Sequence, residues 1–245
     1  MSQNVLVVHG GGPTAVINAS LYGVIEEAKR NPEVGKVYGA IGGTGAIFSE
    51  TFIDLTSFDD EKLKLLLHTP ASAIGSSRYP LYEKDYEKMV DIFKKHDIKY
   101  VLLNGGNGTM DACGHIYEVC KDQDIKVVGI PKTIDNDIAM TDHSPGYGSA
   151  ARFIAASTQE VGEDVKSLPI HVCIMEAMGR NAGWITAASA LARRKQGDAP
   201  HLIYLPERNF NEDEFLEDVS RLQKKQGGVV VLVSEGLHDA NGESS

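Results

Sequence analysis

Short apolar, β-branched runs recur along the chain, each followed by a turn signal and then by a stretch of helical periodicity. The pattern predicts strands at Val5–His9, Lys36–Ile41, Tyr100–Asn104, Lys126–Ile130, Ile170–Met175, His201–Leu205 and Val229–Ser234. Helices are predicted near Val16–Lys29, Lys84–Lys95, Met110–Lys121, Gly148–Lys166, Ala182–Arg194 and Glu212–Gln226, the last capped by Asn211. Such alternation implies an α/β fold with a parallel sheet and helices on both faces. A seam is expected at the polar turn Thr141-Asp142-His143-Ser144-Pro145-Gly146, which separates a domain of residues 1–143 from one of residues 144–245.

Composition narrows the class. The 24 Lys and Arg against 34 Asp and Glu leave a formal charge of −10, which argues against a nucleic-acid partner. A hydrophobic share of 42% with 24% charged residues can bury a sizeable core. No apolar run approaches the roughly 20 residues that cross a bilayer. The start lacks the basic flank of a signal peptide, so no membrane partner and a cytoplasmic location are expected. Cys113, Cys120 and Cys173 are too scattered for a disulfide framework or a thiolate metal site, and are expected as buried free thiols.

In open α/β sheets ligands collect beyond the carboxyl ends of the strands, so the chemistry is sought there. After the first strand comes His9-Gly10-Gly11-Gly12-Pro13-Thr14-Ala15, leading into a helix. Glycine there lets the backbone approach an anion at a positive helix end. The same residues fit G-x-G-x-x-A, a dinucleotide loop, although the next strand ends without an acid for a ribose hydroxyl; a plain tight turn is the third reading. A second glycine-rich turn, Asn104-Gly105-Gly106-Asn107-Gly108-Thr109, also opens a helix. Two such turns favour a polyphosphate, and neither is a Walker loop.

After the fourth predicted strand comes Pro131-Lys132-Thr133-Ile134-Asp135-Asn136-Asp137. Two carboxylates separated by one residue repel each other unless a cation or a proton transfer uses them, so Asp135 could take a proton from an attacking hydroxyl while Asp137 orients a metal or water; a solvated turn explains the residues equally well. Arg180, after Met178-Gly179, could clamp a phosphate, Glu235 could accept bonds from sugar hydroxyls, and Arg78 could neutralise a transferring phosphoryl group.

Gly-Gly-Asn-Gly-Thr at 105–109, Pro-Lys-Thr-Ile-Asp-Asn-Asp at 131–137, Met-Gly-Arg at 178–180 and Ser-Glu-Gly at 234–236, with the first glycine loop, resemble in this order the 6-phosphofructokinase family. The resemblance implies two doubly wound, Rossmann-like domains with the active site in the cleft between them. It also implies phosphoryl transfer to the 1-hydroxyl of fructose 6-phosphate in glycolysis, with Mg²⁺ as cofactor and a homo-oligomer with shared sites. Carried over by motif, Asp135 looks like the base, with Thr133 and Asp137 on the sugar. Gly12, Arg78, Gly106, Asn107, Gly108 and Thr109 look like the donor-phosphate site. Met178, Gly179, Arg180 and Glu235 look like sugar-phosphate contacts, Arg180 also stabilising transition-state charge.

The chain departs from the family pattern at three places. Asn107 stands where a metal-binding Asp is usual, and an amide is a poorer Mg²⁺ ligand. His171 stands where bacterial ATP enzymes carry an arginine that reaches a neighbouring subunit's sugar phosphate. Family members continue past the position of Glu235 to further basic residues, so a C-terminal part is expected to be missing. The donor markers conflict. Gly108 leaves room for a nucleotide's α-phosphate and favours ATP, whereas Lys132, which could hold the transferring or leaving phosphate, is typical of pyrophosphate users. ATP is the leading expectation, with pyrophosphate or a non-catalytic sugar-phosphate-binding homologue as alternatives.

Overall fold

A computed structural model describes residues 3–168 and 171–243. The chain divides into two compact units, residues 1–133 and 134–245. The first unit carries strands β1 (Gln3–His9), β2 (Val34–Ala40), β3 (Phe52–Asp54), β4 (Ile98–Gly105) and β5 (Lys126–Pro131) in the order β3-β2-β1-β4-β5. All neighbours are parallel except β2 and β3. Its helices are α1 (Ala15–Arg30), α2 (Gly45–Phe48), α3 (Asp60–Lys64), α4 (Glu83–Lys95) and α5 (Asn107–Cys120). The second unit carries α6 (Tyr147–Ser167), α7 (Trp184–Ala188) and α8 (Glu212–Gln226) around the parallel sheet β6 (Val172–Ala177), β8 (Val229–Ser234), β7 (Leu202–Tyr204), in that order.

The period of two along β1 feeds two cores at once. Leu6 and Val8 pack with Met89, Phe93 and Ile116, while Val5 and Val7 pack with Leu21, Ile25 and Leu63. Burying each such side chain stabilises the fold by about 1.5–3 kcal/mol, which is why this apolar strand sits at the centre of the sheet. A third core holds Ile154 and Val165 of α6 against Val230 and Leu232 of β8.

The unit boundary lies earlier than the seam expected after residue 143. Ile134 packs on the core of the second unit, and Asn136 ties the following turn down by accepting from the Ser144 amide at 2.7 Å. The polar turn is therefore part of the second unit. The predicted start of β6 at Ile170 lies outside the described residues. Strand β3 and helices α2 and α3 escaped the sequence pattern because three to five residues are too few to show a period. The helix predicted at Ala182–Arg194 is instead α7 followed by a 3₁₀ turn at Ser189–Ala192, where the Ser189 hydroxyl bonds back to the Thr186 carbonyl at 2.6 Å. Among the described residues no helix is long and apolar enough to cross a membrane.

Candidate functional site

Chain order reverses between β1 and β4, so the carboxyl ends of these adjacent strands form the switch point of the first sheet. Both glycine-rich turns leave from there, joined by the Gly10 amide donating to the Asn104 carbonyl at 3.0 Å. The second turn is shorter than predicted. The Gly106 carbonyl already accepts from the amides of Thr109 and Met110, so Asn107 and Gly108 lie in the first turn of α5 rather than in a loop. Both are exposed at that helix end, whereas Thr109 is buried. A Cβ on Gly10 would collide with the Thr109 hydroxyl, so glycine at 10 lets the two turns close on each other.

Lys132 follows β5 and is only 4% exposed. Its amide donates to the Gly105 carbonyl at 2.9 Å, and its ammonium donates to the carbonyl of Gly12. One side chain thus links the end of β5 to the first glycine turn and places a positive charge there. His9, fully buried, feels both effects: burial first and the Lys132 charge second lower its pKa to about 4.

Arg78 is exposed and ends a segment laid against the first glycine turn. Ser77 forms a parallel bridge with Gly10, the Gly11 amide donates to the Ser77 carbonyl at 3.1 Å, and the Ser76 hydroxyl donates to the Gly11 carbonyl at 2.7 Å. The structure therefore brings Gly12, Arg78, Gly106, Asn107, Gly108, Thr109, Lys132 and Thr133 into the first unit, at or next to this switch point.

The remaining candidates belong to the second unit. Asp135 and Asp137 are half-buried and flank Asn136, which is buried and adopts a left-handed backbone with φ 56°. A solvated surface turn would not bury its middle residue. Asn136 is the pivot of this turn, since its side chain bonds both the Ser144 amide and, at 3.3 Å, the Asp142 carbonyl. Met178 and Arg180 are exposed around a buried Gly179, after β6. The end of β8 grips this loop: the Ser234 hydroxyl donates to the Gly179 carbonyl at 2.8 Å, and Glu235 accepts from the Gly179 amide at 3.1 Å. A Cβ on Gly236 would fall on the Arg180 carbonyl, so the Ser-Glu-Gly motif works here as the seat of Met-Gly-Arg. His171 is exposed and bonds through Nδ1 to the Leu168 carbonyl at 3.0 Å.

The fit of a resident divalent cation is poor. Asn107 offers an amide, and among the described residues no group of three or more His, Cys, Asp or Glu side chains converges. Cys113 and Cys120 are buried free thiols whose pKa values burial raises, while Cys173 is half-buried. Sequence reasoning missed His9, Asn18, Ser72 and Asn104. Their signal was present, since His9, Asn18 and Asn104 are polar residues at positions that the apolar pattern assigns to the interior, and all three are fully buried.

These features define a doubly wound α/β protein with two glycine-rich turns at its switch point. The chain belongs to the phosphofructokinase family, whose model matches residues 4–245. It is 44% identical over 98% of its length to the pyrophosphate–fructose 6-phosphate 1-phosphotransferase of Rhodospirillum rubrum, of which it covers 59%. A solved structure of the pyrophosphate-dependent phosphofructokinase of Nitrosospira multiformis superposes with a TM-score of 0.89 at 38% identity, over 99% of this chain and 63% of that one. An ATP-dependent 6-phosphofructokinase of Amycolatopsis methanolica is 30% identical over 96% of this chain and 52% of its own. The chain thus spans about 60% of the length of the pyrophosphate relatives it matches. The relatives support the pyrophosphate alternative better than the ATP reading drawn from Gly108. Space beside Gly108 permits a nucleotide without requiring one, as nothing lies within 4 Å of a Cβ placed there.

Proposed function

We propose that the protein transfers a phosphoryl group from pyrophosphate to the 1-hydroxyl of fructose 6-phosphate, with the donor held by the first unit. The observation that carries this reading is the buried Lys132 ammonium at the Gly12 carbonyl. A fixed cation beside two glycine-rich turns and a helix end suits a compact, highly charged donor, and phosphoryl transfer is mostly positioning and charge stabilisation. The pyrophosphate-dependent relatives, more similar to this chain than the ATP-dependent one, support the same donor.

In this reading Arg78 and the amides around Gly106–Gly108 bind the donor phosphates. Asp135 removes the proton from the attacking hydroxyl as the O–P bond forms, and phosphate leaves from pyrophosphate. Thr133 and Asp137 contact the sugar, and Arg180 with the Met178–Gly179 backbone receives its phosphate. Glu235 acts by holding the Gly179 amide. Mg²⁺ would come with the donor, whose phosphates it would neutralise, since Asn107 offers only an amide.

The test is fructose 1,6-bisphosphate formation with fructose 6-phosphate, Mg²⁺ and either pyrophosphate or ATP in parallel. Turnover with pyrophosphate alone is the expected result. Turnover only with ATP overturns the donor assignment, and sugar-phosphate binding with no turnover favours a non-catalytic homologue.

A further inference from the structure

The segment that leads to Arg78 is held by polar side chains to which the family resemblance assigns no role. Asn18, fully buried on α1, donates to the carbonyls of Thr69 at 2.7 Å and Ala71 at 3.0 Å, and accepts from the Ala73 amide at 2.8 Å. Asn104 reaches the same helix from β4, donating to the Ile17 carbonyl at 3.1 Å. One residue on, the Ser72 hydroxyl donates to the Gly75 carbonyl at 2.7 Å and lies 2.8 Å from His9 Nδ1. A hydroxyl has one proton, and Ser72 gives it to Gly75, so toward His9 it accepts. The imidazole proton therefore sits on Nδ1. In that tautomer His9 Nε2 is an acceptor, and it lies buried without a partner among the described residues.

We propose that His9, donating from Nδ1 to Ser72, is a positioning residue that sets Arg78 against the donor turn. The fixed geometry runs from the end of β1 through Ser72 and Gly75 to Ser76 and Ser77, which bond Gly11 directly. Arg78 is the next residue, and its exposed guanidinium inherits that placement. The inference rests on the donor reading of Arg78 given above. An apolar ring at position 9 would keep the volume and lose the anchor, freeing the segment to shift.

The test is a double-mutant cycle on the full chain, read as pyrophosphate binding by calorimetry with folding checked by circular dichroism. His9→Phe is expected to weaken binding about tenfold, in line with a coupled, buried polar contact. His9→Asn, which keeps a donor near the Nδ1 position, is expected to stay within about threefold. In an Arg78→Ala background His9→Phe is expected to cost nothing further, because its effect acts through Arg78. An equal loss in both backgrounds, or none in either, overturns the inference. Ser72→Ala gives the same comparison if His9→Phe does not fold. If the wild type takes up no pyrophosphate, the donor reading fails and takes the role of Arg78 with it. The anchor is then decided separately by ¹⁵N shifts of His9, where an Nε2–H tautomer overturns it and an Nδ1–H tautomer upholds it.

Discussion

The Lys132 ammonium donates to the carbonyl of Gly12, a residue 120 positions away in the chain. The bond joins the turn after β1 to the end of β5 and puts a buried cation beside the first glycine-rich turn, which the proposed reaction uses to hold the donor. Replacing Lys132 by Met keeps most of the volume and removes the charge. Pyrophosphate affinity is expected to fall about 10- to 100-fold, the loss of one charge-assisted hydrogen bond. The same variant should raise the pKa of His9, since the Lys132 charge helps to lower it; calorimetry and histidine NMR read the two effects.

His9 makes stability depend on pH with a defined sign. Its folded pKa of about 4 lies below the ordinary 6.5, so the folded state resists a proton that the unfolded chain accepts. Stability is complete above 6.5 and falls as pH drops toward 4. The loss integrates to about 3 kcal/mol. Urea unfolding of the wild type and His9→Asn across that window should show the wild type losing more, by about this amount.

Gly10 and Thr109 should couple in stability. Gly10→Ala pushes a methyl group into the Thr109 hydroxyl and is expected to destabilise by about 1–3 kcal/mol. Removing the obstacle in Gly10→Ala/Thr109→Ala should recover most of that loss. Thermal melts of the two variants and Thr109→Ala alone decide it, and purely additive losses would refute the contact.

Asp135 carries the proton transfer in the proposed reaction. Asp135→Asn is expected to lower turnover about 10²- to 10⁴-fold while leaving fructose 6-phosphate binding within about threefold. Full activity in this variant would remove Asp135 from the mechanism.

Asn107 predicts how the metal behaves. Titrating Mg²⁺ into the donor-free protein should give no specific binding, and Asn107→Asp should introduce weak binding because a carboxylate at the start of α5 is a far better hard-cation ligand than an amide. Calorimetry without pyrophosphate checks this directly.

Much of this was legible in the chain. Among the described residues, period-two and helical patterns located seven of the eight strands and the long helices, since β-branched runs and caps act over a few residues. Asn211 caps α8 as expected, accepting from the Glu214 amide at 3.2 Å. The Asp-Asn-Asp turn was ambiguous because only its fold shows that Asn136 is buried. The bond by which Glu235 accepts from the Gly179 amide spans 56 residues and has no local signature.

The α/β class, the two glycine-rich turns, the order of the motifs and the family they resemble are readable along the chain, because each is written in neighbouring residues. Tertiary structure alone decided that Lys132 meets Gly12, that Gly10 closes on Thr109, and that His9, Ser72 and Asn18 hold the Arg78 segment. Those pairings bring together residues far apart in the chain, and strand order at the switch point, which no local pattern encodes, is what makes them neighbours.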